Sequence, residues 1–420
     1  MSQDHSTRVL LQIKDPNISQ LIAHAPEDGG LRVSGVLTYD IKRCPRCGQT
    51  TMLKNGLKTV RIRLPRVSEL TTILNLKKQR FICKACGNTV LAETALVEKQ
   101  HQISENTLHA IDLALTEDRT MSSIAAQYNV STNTIVRRLR LLGKGTQPVF
   151  NGLPTTLCID EFRSTGNQMS FIAIDAQSHD IITILPGRRN QEIRNYFKNR
   201  YSTKNRQQVI RVVMDFNSQY QSVIRELFPN AKLVADNFHL VQMTLRSLNQ
   251  TRVQLMKQFK PDTREYRTLK HYWRLYLMSY PNLEKAKPQW FSHLKDRLTQ
   301  EQLVHEGLDL SEQFTQTYFI AHGLVQAFQN RDYTAFITVL GKVENVSSQL
   351  MITIKTFIHN KQLIENMTNG FLSNGPIEGV NRKIKQIKRT AYGYRNWQNF
   401  IYRIQISFKI KIEKENPIRK

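Results

Sequence analysis

The chain has 420 residues, enough for about two to four domains and a sizeable core. Hydrophobic residues make up 40% of it, which excludes wholesale disorder. Its 60 Lys and Arg against 34 Asp and Glu give a formal net charge of +26, which predicts a polyanionic partner, nucleic acid first. A basic protein that coats membranes is the alternative. No stretch is long and apolar enough for a membrane span or a signal peptide, so we expect a cytoplasmic protein.

Four of the five cysteines form two CxxC pairs, CPRCG and CKACG. In each pair two thiolates lie three residues apart on a turn that a glycine relaxes, and two such knuckles complete a tetrahedral zinc site. Two matched pairs favour structural zinc over a CxxC redox role. The alternating stretches between the knuckles predict a hairpin, so residues 1–95 are interpreted as an N-terminal region with a zinc ribbon. The predicted zinc ligands are Cys44, Cys47, Cys83 and Cys86.

Residues 100–145 are predicted to form a helix-turn-helix DNA-binding domain. Ser104 can cap the first of three helices, and Asn129 lies in the tight turn before the third. A chance three-helix unit is the alternative, but the basic composition favours DNA binding. The third helix is expected to present three base-reading side chains outward: Asn133, Arg137 and Arg138.

After a predicted linker over residues 143–152, the pattern changes to strands. Three strands are followed by helix, strand, helix and strand, the order of a ribonuclease-H-like fold. In that fold the first and fourth strands are parallel neighbours. These strands are predicted to end at Asp160 and Asp215, which then emerge at the same edge of the sheet. Asp175 ends an antiparallel neighbour and is expected to point away.

Residues 243–366 are predicted to form a helical insertion whose aromatic side chains, such as Trp273 and Trp290, belong to its core. The ribonuclease-H-like core then comprises residues 150–242 and 367–410. The whole chain is therefore expected to be a multidomain α/β protein.

The segment FLSNGPIEGVNRKIKQIKRTAYGYRNWQNF predicts a helix after a turn at Ser373–Gly375. Glu378 lies at the edge of the helix's apolar stripe. A solvated face is the simple interpretation of the cations that follow, but the aromatic residues after them favour a polyanion held beside a metal. These predicted DNA-binding cations are Arg382, Lys385 and Arg389.

Asp160, Asp215 and Glu378 together suit a pair of Mg²⁺ ions, for which Mn²⁺ could substitute. Two such ions roughly 4 Å apart activate a water or a 3′-hydroxyl and stabilise the leaving oxygen at a phosphodiester. Each acid alone is a weak signal. Their strand–strand–helix order on a basic chain makes the combination more specific.

With the motifs CIDEF, VVMDF, ADNFH and SNGPIEGVNRKIK…RTAYGYRNW added to the zinc knuckles and the helix-turn-helix, nearly the whole chain resembles bacterial insertion-sequence transposases of the DDE class. It is most similar to the group called the ISL-three family. The resemblance implies that Asp160, Asp215 and Glu378 are a catalytic triad that cuts and rejoins DNA at terminal inverted repeats.

The resemblance also implies double-stranded repeat and target DNA as partners, a homodimer or higher oligomer on DNA, and a place at the bacterial nucleoid. Asp236 and His239 match a DxxH signature, in which the histidine assists the active site or positions DNA. A locally satisfied histidine is the alternative.

Two other functions fit the same residues. A DNA-binding transcriptional regulator would keep the ribonuclease-H-like fold without cutting, which the intact acid triad argues against. A hydrolytic nuclease or resolvase would cut without joining strands, and hydrolysis and strand transfer use the same metals and acids.

Overall fold

The computed structural model describes residues 3–27, 29–146, 152–216, 218–370 and 375–409. The chain divides into two compact units: unit 1 is Met1–Gln147 with Lys383–Lys420, and unit 2 is Pro148–Arg382. Parts of the predicted linker over 143–152 and of the predicted turn at Ser373–Gly375 lie outside the described residues.

Strands predominate at the start of the described chain and of unit 2, and helices predominate after β10. Up to Gly145 they are α1 (Gln3–Leu10), β1 (Ile18–Glu27), β2 (Gly30–Leu37), β3 (Met52–Val67), β4 (Leu70–Cys83), β5 (Thr89–Leu91), α2 (Glu105–Ala114), α3 (Met121–Gln127) and α4 (Thr132–Gly145). Unit 2 continues with β6 (Thr156–Arg163), β7 (Met169–Asp175), β8 (Ile181–Leu185), α5 (Asn190–Arg200), α6 (Thr203–Gln207), β9 (Arg211–Met214), α7 (Ser218–Leu227) and β10 (Lys232–Ala235). The remaining elements are α8 (Asn237–Met256), α9 (Arg264–His271), α10 (Trp273–Leu277), β11 (Gln289–Phe291), β12 (Asp296–Leu298), α11 (Gln300–Leu308), α12 (Glu312–Gln329), α13 (Tyr333–Leu340), α14 (Ser348–His359), α15 (Lys361–Thr368), α16 (Gly375–Thr390) and α17 (Trp397–Lys409).

The N-terminal sheet of unit 1 has the order β1-β2-β4-β3, with β5 paired to β4. The predicted hairpin is the long β3–β4 pair, which turns at Ser68 and Glu69, both with positive φ (47° and 64°). Two consecutive residues with positive φ match the right-handed twist of a hairpin. Alternate side chains of the hairpin, such as Ile62 and Leu74, are buried in the core of this region. The hairpin therefore gives the two zinc knuckles a rigid base.

The three predicted helices of the helix-turn-helix are confirmed. Ser104 caps α2 by accepting from the Thr107 amide, and Ser131 caps α4 in the same way. Asn129, with φ of 50°, takes the left-handed conformation that the turn requires and that asparagine tolerates. The Ser104 amide also donates to the Arg63 carbonyl of β3 (2.9 Å), so the domain is hydrogen-bonded to the hairpin.

The C-terminal helix α17 packs on α4 of unit 1, which differs from the prediction that residues 367–410 belong to the ribonuclease-H-like core. Tyr402 and Ile406 of α17 share one hydrophobic cluster with Ile135 and Leu139 of α4. Arg403 is only 2% exposed, and its guanidinium donates to backbone carbonyls of residues 117 and 119. The apolar spacing of α17 shows that it is buried but carries no information about its partner.

The sheet of unit 2 has the order β10-β9-β6-β7-β8. β6 pairs with β9 in parallel and with β7 antiparallel, as the ribonuclease-H-like order predicts. The first strand is longer than predicted, because β6 continues to Arg163 while paired with β7. Since β9 stops at Met214, the second half of β6 extends past its parallel neighbour. This step in the sheet is where the acidic residues gather.

The predicted insertion is helical, with the small hairpin β11–β12 as an unpredicted addition. Its expected start at residue 243 falls inside α8, which runs without interruption from Asn237. Trp290 is 60% exposed on β11 and is not a core residue, in contrast to the prediction. After the insertion α15 returns to the sheet, where Asn366 donates to the Leu233 carbonyl of β10 (2.8 Å).

Gly143 tests the packing of α17 on α4. A Cβ at Gly143 would overlap the ring of Tyr402, whereas a Cβ at Gly145 of the same helix would meet nothing within 4 Å. Gly143→Ala should therefore lower the free energy of unfolding by about 1–3 kcal/mol through overpacking. Gly145→Ala should be neutral or stabilising by up to about 1 kcal/mol, because alanine favours the helix. Thermal unfolding of the full chain measures both. Equal melting temperatures for the two variants would contradict this packing.

Candidate functional site

The acidic residues of unit 2 are brought together by the pairing of β6 with β9. The register joins Cys158 to Val213, which places Asp160 and Asp215, each two residues further on, opposite one another. Asp160 lies within β6, and Asp215 directly follows β9. Asp175 pairs with Leu157 at the other end of β6 and accepts hydrogen bonds from its own turn. The structure thus places Asp160 and Asp215 together and Asp175 apart from them.

The Asp160 carboxylate is held by two donors. Its Oδ1 accepts from the Glu161 amide (2.7 Å), and its Oδ2 accepts from Nδ2 of Asn381 on α16 (2.6 Å). Burial and, to a smaller extent, the neighbouring charge of Asp215 raise the pKa of Asp160 to about 7. The side chain is therefore fixed in place but lacks a compensating positive charge.

Burial also raises the pKa of Asp215, to about 6, with further contributions from the charges of Asp236, Glu161 and Glu378. Glu378 of α16 therefore lies close enough to act on Asp215, as the predicted triad requires. Among the described residues, the acidic side chains do not form a group whose ligand atoms all lie within 4.8 Å of one another.

The donor set at this site fits a hard divalent cation. The charges with the largest effects on the pKa values of Asp160 and Asp215 are those of other carboxylates. In addition, Asn381 is only 6% exposed, and its buried Oδ1 has no hydrogen-bond partner among the described residues. This oxygen is therefore an unsatisfied acceptor beside the acids. Carboxylate and amide oxygens are the ligands that Mg²⁺ and Mn²⁺ prefer.

Asp236 and His239 occupy the first turn of α8. Asp236 is buried and caps the helix by accepting from the Phe238 amide (3.3 Å). His239 faces the acids, with Nδ1 3.4 Å from Oδ2 of Asp215. Asp236 thus has a structural role as a cap, whereas His239 is directed at a predicted metal ligand.

Sequence reasoning missed a polar cluster beside the acids. Glu161 pairs with Arg188 (2.6 Å) and accepts from the hydroxyl of Tyr220 on α7. Glu161 and Tyr220 line a cleft of about 450 Å³ together with Asp160 and Asp215. The motif CIDEF includes Glu161, but the motif does not show that Glu161 contacts Arg188 and Tyr220. The helical spacing places Asn381 one turn after Glu378, but it does not show that Asn381 contacts Asp160.

The predicted cations of α16 project into solvent. Arg382, Lys385 and Arg389 are exposed, and none of them is in a salt bridge within the described part of the chain. Ile377, Ile384 and other apolar residues of the helix form its buried face, as predicted. This arrangement leaves the positive charge of the row available for phosphate groups.

The predicted base-reading residues of α4 separate into two groups. Asn133 and Arg137 are exposed, as expected of a recognition helix. Arg138 instead points toward α2, where it makes a bidentate ion pair with Asp112. The prediction that Arg138 faces outward is therefore wrong, because its neighbour on α2 could not be known from the spacing.

The zinc knuckles close into one sulfur cluster. All four Sγ atoms lie within 4.8 Å of one another, with Cys44–Cys86 at 3.7 Å and Cys47–Cys83 at 3.6 Å. A tetrahedral zinc with Zn–S bonds of about 2.3 Å requires sulfur atoms roughly 3.8 Å apart. The glycines after the knuckles have positive φ, and each donates its amide to the first cysteine carbonyl of its knuckle (2.9 Å).

Comparisons with known proteins agree with this arrangement. Residues 42–86 match the zinc finger of transposases of IS204, IS1001, IS1096 and IS1165, and residues 92–142 match the helix-turn-helix domain of transposase family ISL3. Residues 157–404, more than half of the chain, match the ISL3 transposase domain.

Among individual proteins, the chain is 24% identical over 391 residues to the transposase for insertion sequence element IS1001 of Bordetella parapertussis, covering 91% of this chain and 93% of that protein. A shorter match, 32% identical over 109 residues, is to a protein named ATP-dependent protease of Lactococcus lactis subsp. lactis and covers 26% of this chain and 35% of that protein. The short match carries no argument about function.

Together the ribbon, the helix-turn-helix and the acid-bearing sheet are those of an enzyme that binds DNA and cuts or transfers its strands. The chain belongs to the ISL3 family of insertion-sequence transposases. The ribbon match and the cysteine cluster support a structural zinc ion. None of the described helices combines the length and the apolarity needed to cross a membrane.

The sulfur cluster predicts about one zinc per chain in protein purified without chelator. Cys44→Ser should abolish stoichiometric zinc and weaken DNA binding, because the hairpin that carries the knuckles is hydrogen-bonded to α2. Cys158→Ala is the matched control, since Cys158 is the free cysteine on β6, and it should keep its zinc. Elemental analysis with a filter-binding assay measures both. Well-folded wild-type protein without zinc would contradict the assignment.

Proposed function

We propose that this transposase works by DDE chemistry, with Asp160, Asp215 and Glu378 as its catalytic residues and two Mg²⁺ ions, replaceable by Mn²⁺, as its cofactor. The observation that carries the proposal is the pairing of β6 with β9, which sets Asp160 beside Asp215 while the charge of Glu378 acts on Asp215. Neighbouring carboxylate charges raise the pKa of both Asp160 and Asp215, and a cation between the acids would offset that repulsion.

The reaction proposed is cleavage at the terminal inverted repeats followed by strand transfer into target DNA. In cleavage, a water oxygen bonds to phosphorus and the 3′-oxygen leaves. In transfer, that 3′-hydroxyl bonds to a target phosphorus and displaces another 3′-oxygen. The metal pair would supply Lewis-acid stabilisation of the attacking and leaving oxygens.

The chain's own side chains have separate tasks at this site. Asn381 and the Glu161 amide fix the orientation of Asp160. Nδ1 of His239 faces Oδ2 of Asp215, which suits it to position that carboxylate. Glu161 pairs with Arg188 and accepts a hydrogen bond from Tyr220 of α7. We therefore assign Glu161 to holding α7 against the sheet and not to binding the metal.

The proposed DNA contacts divide into base readout and backbone binding. Asn133 and Arg137 are assigned to base edges, because both are exposed on α4. Arg138 is assigned to the stability of the helix-turn-helix, because its guanidinium is already paired with the carboxylate of Asp112. Phosphate contacts are assigned to Arg382, Lys385 and Arg389. Two ends must meet for transposition, so we propose a homodimer or higher oligomer, acting at the nucleoid.

The triad predicts the outcome of shape-conserving substitutions. Asp160→Asn, Asp215→Asn and Glu378→Gln each remove one negative charge, so each should lower strand cleavage at least about 10²-fold. Binding to the repeats should stay nearly unchanged, because readout is assigned to α4. The measurement is cleavage of a labelled terminal-repeat duplex in Mg²⁺.

Asp175→Asn is the matched control, since Asp175 ends the neighbouring strand and lies in its own turn. It should cut at the wild-type rate. Wild-type cleavage by Glu378→Gln would show that α16 does not supply the third ligand. Products in which the labelled repeat end is joined to target DNA would distinguish a transposase from a hydrolytic nuclease. Tight binding of wild-type protein to DNA that stays intact would indicate a regulator.

Asn381 predicts a change in metal affinity. Asn381→Ala removes the donor to Asp160 and the buried Oδ1, and loss of such supporting groups typically lowers metal affinity about 10–100-fold. Mn²⁺ titration followed by electron paramagnetic resonance, without DNA, measures this directly. Gln386→Ala on the exposed face of the same helix is the control and should bind Mn²⁺ normally. Affinity within twofold of wild type would exclude Asn381 from the site.

A further inference from the structure

A polar groove in unit 1 lies outside the acid cluster. The segment between α16 and α17 forms one wall, with Tyr392, Arg395 and Asn396. The starts of α3 and α4 form the other wall, with Ser122 and Thr132. The groove measures about 490 Å³, and its described lining contains cationic and neutral polar groups but no carboxylate. We refer to it as the Tyr392 groove.

Tyr392 itself is in an unusual position. The Tyr392 amide donates to the Arg389 carbonyl (3.0 Å) and the Gly393 amide to the Lys388 carbonyl (2.9 Å), the paired bonds that close a helix with a left-handed residue. Tyr392 is that residue, with φ of 53°. Glycine is preferred there because a Cβ is disfavoured in the left-handed conformation. Tyrosine is therefore a poor choice for closing the helix.

The ring of Tyr392 also contributes nothing to the core. It is 95% exposed, whereas its neighbour Tyr394 stacks on buried Phe400 with ring centroids 4.8 Å apart. Local folding thus accounts for Tyr394 and Phe400 but not for Tyr392. An exposed aromatic ring whose backbone is fixed by the helix end, beside cations, suits contact with sugar and phosphate groups.

Cations continue from the groove along α16. Arg395 lies in the wall, and Arg389 and Lys385 are exposed on the helix that Tyr392 closes. None of the three is in a salt bridge within the described residues. The groove also begins at Thr132, the residue before the base-reading Asn133, so a duplex seated on α4 continues toward it.

We propose that the Tyr392 groove binds the sugar-phosphate backbone of the duplex whose bases α4 reads. Arg395 and Arg389 contact phosphates, and the Tyr392 ring packs against an adjacent deoxyribose. This inference rests on the proposed base readout by α4. It assigns the segment after α16 to DNA binding in the same unit as the helix-turn-helix.

Tyr392→Gly tests the proposal, because it removes the ring while giving the helix end its preferred residue. The melting temperature should stay the same or rise. The affinity for an inverted-repeat duplex and for a random duplex should fall equally, by about tenfold, since backbone contacts are not sequence-specific. Tyr392→Phe keeps the ring and should bind as wild type.

Arg395→Ala and Arg389→Ala provide a second measurement. Each should reduce the slope of log affinity against log salt concentration by about 0.9, the loss of one phosphate contact. Arg137→Ala should instead weaken the repeat duplex alone. If Arg137→Ala has no effect while the groove variants behave as expected, base readout by α4 fails, and with it the assignment of the groove to the duplex that α4 reads; backbone binding at the groove itself remains.

The proposal is overturned if Tyr392→Gly binds both duplexes within twofold of wild type and both arginine variants keep the wild-type salt slope. It is also overturned if Tyr392→Gly changes the oligomeric state in light scattering while DNA affinity is unchanged, because the groove would then hold a second copy of the chain.

Discussion

The parallel contact between β6 and β9 is the constraint on which the proposed active site depends. β9 and β10 are each four residues long, and all but the first residue of each is buried. Their packing therefore determines where this side of the sheet ends. β6 passes beyond that end, and the step sets Asp160 against Asp215 in a half-buried place. Two carboxylates there oppose folding unless they are protonated or a cation lies between them.

Cation binding and stability are coupled as a result. A divalent ion that binds the folded acids but not the unfolded chain stabilises the fold by mass action. The donors on Asp160 act in the same direction, because the Glu161 amide and Asn381 favour its ionised form and fix its direction. In the proposed chemistry the site is thus prepared for a cation before one binds, and positioning rather than rearrangement would supply the catalytic geometry.

Helix α16 serves several purposes because its faces have different chemistry. The apolar face, with Ile377 and Ile384, is buried. Glu378 and Asn381, three residues apart, share a second face and reach the acids of unit 2. A third face carries exposed cations. Since the boundary between the units falls after Arg382, the first part of this helix belongs to unit 2 and the rest to unit 1.

Features encoded by neighbours in the chain could be predicted from the sequence. The zinc knuckles, the Ser104 cap, the turn at Asn129 and the strand order of the sheet all depend on short spacings, and the structure confirms them. The acids of the triad were predicted from strand order, and their roles stay a prediction. The orientation of Arg138, the bond from Asn381 and the packing of α17 depend on partners distant in sequence, which no local period specifies.

The N-terminal region and the helix-turn-helix are better regarded as one DNA-binding body than as two modules on a linker. The Arg63 amide of β3 donates to the Gln102 carbonyl, and the Arg63 carbonyl accepts from the Ser104 amide and the Thr107 hydroxyl. Ser104 also caps α2, so the strand that supports the zinc knuckles fixes the start of the helical domain. On the other side α17 covers α4. The helical domain is thereby held from two sides, by the β3 strand of the ribbon at the start of α2 and by α17 on α4.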